Sequence, residues 1–193
     1  DATEVEHGAG HDAIVIDARD PAAFAGEHIP GSLGIGLGDS FGTWVGSVVP
    51  LDRQIILVLE RPDDLARAIV QLRRAGFDRR IAYLLGGLAA WRESGRPMSR
   101  LETRSADEVA AATDAGHVRL VDVREPSEWR AGHIPGAMHL PAGRLPGRLA
   151  EVPDDRPVVV ACGSGYRSSV AASLLLRDGR TRVSNLVGGM TAY

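Results

Sequence analysis

Among the 193 residues there is one cysteine, Cys162, and its neighbours suit it to chemistry. It follows the apolar run Val158-Val159-Val160-Ala161 and precedes Gly163-Ser164-Gly165-Tyr166-Arg167. Ser168 through Arg177 then reads as a helix. The apolar run reads as a buried strand and the two glycines as a tight loop. A thiol at such a strand-to-helix turn meets free backbone N–H groups and the positive end of the helix dipole. That setting stabilises a thiolate or a bound anion. An isolated cysteine is more often a small packed residue, but the glycines, the arginine and the following helix argue against packing alone. Gly163, Ser164 and Gly165 are small enough to let loop N–H groups approach an anion. Arg167 supplies a fixed positive charge, either to hold an anionic ligand or to brace the loop. Tyr166 reads as a pocket wall, and Ser168 as a helix cap or a hydrogen-bond donor to the anion.

Composition removes several classes of function. A formal charge of −3 lacks the basic excess that a phosphate footprint needs, so nucleic acid is not an expected partner. One Cys permits neither an internal disulfide nor a CxxC pair, and the six His are scattered, so no metal site is expected. No run is long enough to cross a membrane, and no basic-then-apolar signal segment is present. A free thiol suits a reducing compartment, and the expected location is cytoplasmic.

The elements that position the cysteine occur twice. Residues 14–31 read IVIDARDPAAFAGEHIPG and residues 119–136 read RLVDVREPSEWRAGHIPG. At an offset of 105, Asp17, Arg19, Pro21 and His28-Ile29-Pro30-Gly31 match Asp122, Arg124, Pro126 and His133-Ile134-Pro135-Gly136. Later the offset is 102: Gly86-Gly87 matches Gly188-Gly189, so the first copy is longer within Gly38–Ser47. Two domains are expected, residues 1–97 and 98–193, joined near Ser94-Gly95-Arg96-Pro97. In the second copy, Ser105-Ala106-Asp107-Glu108 is a capping box that opens a helix to about Ala115. Val118–Val123, Val158–Ala161 and Val183–Val187 read as strands, Pro126–Ala131 as a short helix and Leu145–Ala150 as a weak one. Short apolar strands separated by helices imply a parallel sheet covered on both faces. Asp1–Val5 aligns loosely with Ser105–Val109, and with no initiator Met the chain reads as a piece of a longer polypeptide.

Asp122-Val123-Arg124-Glu125-Pro126, Gly132-His133-Ile134-Pro135-Gly136-Ala137, the Cys162–Arg167 loop and Gly188-Gly189, in this order, resemble a rhodanese domain. The resemblance covers both copies. It implies an α/β fold: two three-layer α/β/α domains, each around a mostly parallel five-stranded sheet. It also implies sulfane-sulfur transfer, with Cys162 as the nucleophile that carries a covalent persulfide and Gly163–Arg167 as the anion-binding loop. The implied partners are a small-molecule donor (thiosulfate or a low-molecular-weight persulfide) and a thiol, sulfite or cyanide acceptor. No cofactor is implied in this chain beyond the persulfide itself. Asp39–Gly46 followed by Val49–Arg53 resembles tandem rhodanese modules that follow a metallo-β-lactamase-fold, persulfide dioxygenase-like domain. This implies a fused companion domain upstream, holding non-haem iron. Cysteine phosphatases and arsenate reductases share the thiolate-and-arginine logic with one more residue between the two. The four residues here favour the smaller sulfur loop. A non-catalytic sulfur-carrier or interaction module is the third reading. Gly163 stands where many thiosulfate-using members have a basic residue, which leaves a neutral or thiol-linked persulfide as a donor.

Asp122 and Arg124 end a strand beside the expected pocket and read first as a structural ion pair, otherwise as groups that tune the site. His133 reads as structural, because the first copy keeps His28 where catalysis is not expected. Trp44, Trp91 and Trp129 read as core or domain-interface residues. In the first copy Glu60 replaces Cys162 and Leu65 replaces Arg167, within Glu60-Arg61-Pro62-Asp63-Asp64-Leu65. An acidic loop without sulfur marks that copy as an inactive scaffold, docking surface or cleft wall.

Overall fold

Two parallel sheets organise the chain, one in each of two units, Asp1–Arg100 and Leu101–Tyr193. A computed structural model describes residues 13–78 and 81–193. The Asp1–Val5 alignment with Ser105–Val109 therefore lies outside the described residues. The division between units falls three residues beyond the expected 97/98 joint. His28 and Ser99 exchange backbone hydrogen bonds, 2.9 Å each way, and tie residues 98–100 to the first unit.

In the first unit the strands are β1 (Ala13–Asp17), β2 (Leu33–Gly34), β3 (Gln54–Val58) and β4 (Ile81–Tyr83), in the order β2-β1-β3-β4. Its helices are α1 (Pro21–Gly26), α2 (Phe41–Val48), α3 (Asp64–Arg74) and α4 (Gly87–Glu93). The second unit has β5 (Glu102–Arg104), α5 (Ala106–Asp114), β6 (Arg119–Asp122), α6 (Pro126–Ala131), β7 (Met138–His139), β8 (Val158–Ala161), α7 (Tyr166–Arg177) and β9 (Val183–Leu186). Its sheet runs β5-β9-β8-β6-β7, and every pairing in both sheets is parallel. Of the five strands expected in each domain, the second sheet has five and the first has four among the described residues. The fifth strand of the second sheet is β5, paired with β9.

Local chemistry accounts for these elements. Asp20 caps α1 by accepting the Ala22 N–H at 2.8 Å, with Pro21 in the first turn. Ser105 Oγ accepts the Glu108 N–H at 3.3 Å while Glu108 accepts the Ser105 N–H at 2.8 Å, closing the capping box of α5. Every residue of β1, β8 and β9 is buried. Successive strand residues face opposite sides of a sheet, so both faces are covered and each unit has three layers. The expected weak helix at 145–150 is instead 3₁₀, over Ala142–Gly147 and Leu149–Glu151. Pro146 inside it has no N–H to give to an α-helical ladder. The longer stretch of the first copy folds as α2, which buries Phe41, Val45 and Val48.

Candidate active site

The strand β8 ends at Ala161 and delivers Cys162 to the C-terminal edge of its sheet, the side where parallel α/β sheets present their ligand sites. The thiol is buried, with the residue only 1% exposed. Gly165 turns the chain with φ of 106° and stands as the N-cap of α7. This glycine lets the helix begin at Tyr166, two residues ahead of the expected start at Ser168. The Gly165 N–H donates to Cys162 Sγ at 3.1 Å. Ser168 is buried inside the first turn, not at a cap: its Oγ lies 3.4 Å from Sγ and donates to the Gly165 carbonyl at 3.1 Å. Gly163, Gly165 and Tyr166 are half-buried, and Ser164 is exposed. Burial pushes the Tyr166 phenol up to about 12, so it stays neutral near pH 7.

Arg167 reaches back across the loop to a residue that sequence reasoning did not single out. Its Nη1 and Nη2 donate to Glu128 Oε2 and Oε1 at 2.5 and 2.7 Å, a two-pronged ion pair. Glu128 is the third residue of α6, and Oε2 also accepts the Glu125 N–H at 3.1 Å. The bond from Arg167 chiefly, against a smaller opposing effect of burial, holds the Glu128 carboxyl down to about 2. On Arg167 the Glu128 bond is the main cause that raises its pKa, burial opposes it, and the Cys162 sulfur adds to the rise. A Cβ built on Gly163 would stand 3.3 Å from Arg167 Nη2 and 3.8 Å from Glu128 Oε1, so the pair overlies the residue next to the thiol. The readable signal for Glu128 was its counterpart: at the 105-residue offset the first copy has Ala23.

From the other side the loop rests on the turn after β9. Cys162 and Gly163 carbonyls accept the N–H groups of Met190 at 2.7 Å and Thr191 at 3.2 Å, and Thr191 Oγ1 donates to the latter at 2.9 Å. A Cβ on Gly189 would collide with the Cys162 carbonyl and the Gly163 backbone, so only glycine fits there.

Asp122 and Arg124 form a buried ion pair, with Arg124 Nη2 to Asp122 Oδ2 at 2.6 Å and to the Gly132 carbonyl at 2.7 Å. The first unit repeats it: Arg19 Nη2 lies 2.7 Å from Asp17 Oδ2 and 2.6 Å from the Glu27 carbonyl. A brace kept beside Glu60 as well as beside Cys162 is a property of the scaffold. The histidines follow the same rule. His133 Nδ1 donates to the Trp129 carbonyl at 3.1 Å and its ring stacks on that indole; His28 does the same to Phe24 at 2.8 Å. Trp91 is a core residue, while Trp44 and Trp129 are half-buried.

Where the second unit holds its thiol, the first has an open pocket of about 380 Å³ lined by Arg19, Leu59, Glu60, Gly86, Gly87 and Arg92 among others. Among the described residues no cluster of His, Cys, Asp and Glu is arranged to hold a metal, and no helix is long and apolar enough to cross a membrane.

Residues 1–94 and 105–193 each match the family described as Rhodanese-like domain. The chain belongs to the rhodanese-like family. Its relatives include a protein named Sulfurtransferase from Allochromatium vinosum, 46% identical over 80 residues that span 42% of this chain and 75% of that one. The uncharacterized protein YqhL of Bacillus subtilis is 44% identical over 75 residues, 39% of this chain and 60% of its own length. A solved structure of thiosulfate sulfurtransferase from Pseudomonas aeruginosa aligns over 99% of this rhodanese-like pair at 23% identity and a TM-score of 0.43, and the pair spans 40% of that chain.

Proposed function

We propose that this rhodanese-like pair is a sulfurtransferase in which Cys162 carries sulfane sulfur as a persulfide and the first unit is a non-catalytic scaffold. The observation that carries the reading is the buried Cys162 sulfur receiving the Gly165 N–H at 3.1 Å at the head of α7, beside Arg167, with Glu60 at the corresponding place in the first unit. The relative from Allochromatium vinosum named a sulfurtransferase supports it. So does the four-residue spacing Gly163–Tyr166, which suits a single sulfur better than a tetrahedral oxyanion.

The first half-reaction is attack by the Cys162 thiolate on the outer sulfur of the donor. A new S–S bond forms at Cys162, and the donor's S–S bond breaks with its electron pair leaving on the departing group. That group is a thiolate from a persulfide, or sulfite from thiosulfate. In the second half-reaction a thiolate, sulfite or cyanide attacks the outer sulfur and returns Cys162 to its thiolate. The sulfane sulfur is passed on with no external oxidant or reductant. Rates follow the thiolate fraction and the acidity of the leaving group. The Gly165 N–H and the start of α7 stabilise negative charge on sulfur at both stages. Transfer to small acceptors in the cytoplasm fits the single free cysteine. The motif Asp39–Gly46 with Val49–Arg53 supports fusion to a metallo-β-lactamase-fold partner that would supply or consume persulfide.

Intact-mass measurement after incubation with thiosulfate or glutathione persulfide tests the assignment. The chain is expected to gain about 32 Da, one sulfur atom, and Cys162→Ser to gain nothing. Loading retained in Cys162→Ser would move the nucleophile elsewhere.

A further inference from the structure

We propose that Glu128 sets the donor class of the Cys162 site: by clamping Arg167 it turns away dianionic thiosulfate and leaves the site to thiol-linked persulfides. The inference rests on the sulfur-transfer reading above and adds the substrate class to it.

Three observations carry it. First, the only cation of the loop is engaged on both prongs by a carboxylate, at 2.5 and 2.7 Å, so its charge is compensated before any donor arrives. Second, the carboxylate is fixed, because its Oε2 also accepts the Glu125 N–H at 3.1 Å in the first turn of α6. Third, the pair lies over Gly163, with Nη2 and Oε1 3.3 and 3.8 Å from where a Cβ would stand. A donor reaching Sγ past Gly163 therefore meets a neutralised guanidinium edged by a carboxylate. A small dianion is repelled there, since like charges brought together suppress the wrong partner. A persulfide attached to a larger thiol carries its remaining charge farther from the reacting sulfur. Its outer sulfur can use the Gly165 N–H without needing Arg167. The copy without sulfur chemistry has lost both members together: Ala23 stands for Glu128 and Leu65 for Arg167. Glu128 is a positioning residue here; it acts through Arg167 and not on the reacting atoms.

The experiment compares kcat/KM for thiosulfate and for glutathione persulfide in the wild-type chain, Glu128→Gln, Glu128→Asp and the double variant Glu128→Gln with Arg167→Gln. Gln keeps the acceptor for the Glu125 N–H and removes the charge. The thiosulfate-to-persulfide ratio is expected to rise about tenfold in Glu128→Gln, chiefly through a lower KM for thiosulfate. Glu128→Asp, which keeps the charge, should stay near the wild-type ratio, and the double variant should lose the gain because it lacks the freed cation. A Glu128→Gln chain with an unchanged ratio, or with both donors depressed alike, would reduce Glu128 to a structural clamp and overturn the inference. Sulfur loading of wild-type Cys162 is measured alongside. If it is absent with both donors, the sulfur-transfer reading itself fails; if it is present with an unmoved ratio, only the donor assignment does.

Discussion

Glu60 and Cys162 occupy the same place in two copies of one scaffold, and the surroundings of the two show which parts belong to the fold and which to the chemistry. Both units keep the buried Asp–Arg pair, the histidine that stacks on an aromatic ring of the preceding helix, and the glycine pair after the last strand. These are duplicated whether or not sulfur is present, so they hold the fold. The second unit alone has the thiol under the Gly165 N–H and the Glu128–Arg167 fork. In the first unit the loop is held by a local pair, Arg61 with Asp64 at 3.1 Å, and a pocket lies open where the cradle would be. The two units thus share a sheet edge and differ in the small loop and the ion pair over it.

The strongest challenge to that comparison is to move the nucleophile. Glu60→Cys in a Cys162→Ser background is expected to show no sulfur loading by intact mass and no turnover. The transplanted thiol would have neither the glycine loop nor Arg167. Loading at position 60 comparable to that of wild-type Cys162 would mean that the scaffold suffices. A smaller effect should separate the two glycine pairs. Gly189→Ala forces a Cβ against the Cys162 loop at a φ of +59°, whereas Gly87→Ala at +58° meets only the Leu59 carbonyl at 3.2 Å. Both carry the cost of left-handed backbone, about 1–3 kcal/mol, and the collision adds to it at Gly189 alone. Thermal unfolding should show the lower midpoint for Gly189→Ala, with slower sulfur loading; equal midpoints and rates would show that the loop yields freely.

The smallest expected difference concerns pH. His28 is buried and its pKa is lowered, chiefly by burial, against the hydrogen bond to Phe24, whereas the matching His133 is exposed. With a folded pKa below the ordinary value of about 6.5, the unfolded chain takes up the proton first as pH falls. The first unit should thus hold its full His28 contribution above that value and lose it as pH drops through the folded pKa. His28→Gln should flatten the acid side of the stability profile followed by thermal unfolding between pH 7 and 5. Parallel slopes for wild type and variant would remove His28 as the cause.

The parts of this architecture that are local in the chain were legible in its residues. The capping box at Ser105, the proline start at Pro126 and the apolar run before Cys162 each act within a few positions, and each formed the expected element. The repeat itself exposed Glu60 in the place of Cys162. Glu128 was passed over although the repeat offers Ala23 against it, because its partner lies 39 residues away and within its own turn a glutamate reads simply as a helix-start residue. Ser168 was misplaced because a left-handed glycine, which no periodicity reports, started the helix early. Five strands in each unit were expected from the family resemblance; the second sheet has them, and the first has four among the described residues.

The turn after β9 has one further consequence, at the level of peptide orientation. Met190 and Thr191 pull the carbonyls of Cys162 and Gly163 toward themselves. In a planar trans peptide the N–H points opposite to its C=O. The amides of Gly163 and Ser164 are therefore aimed away from that turn, and the carbonyl oxygens of those two peptides are already occupied. The final residues of the unit thereby act as an orienting magnet for two bond dipoles, setting which side of the loop is electropositive before any sulfur arrives.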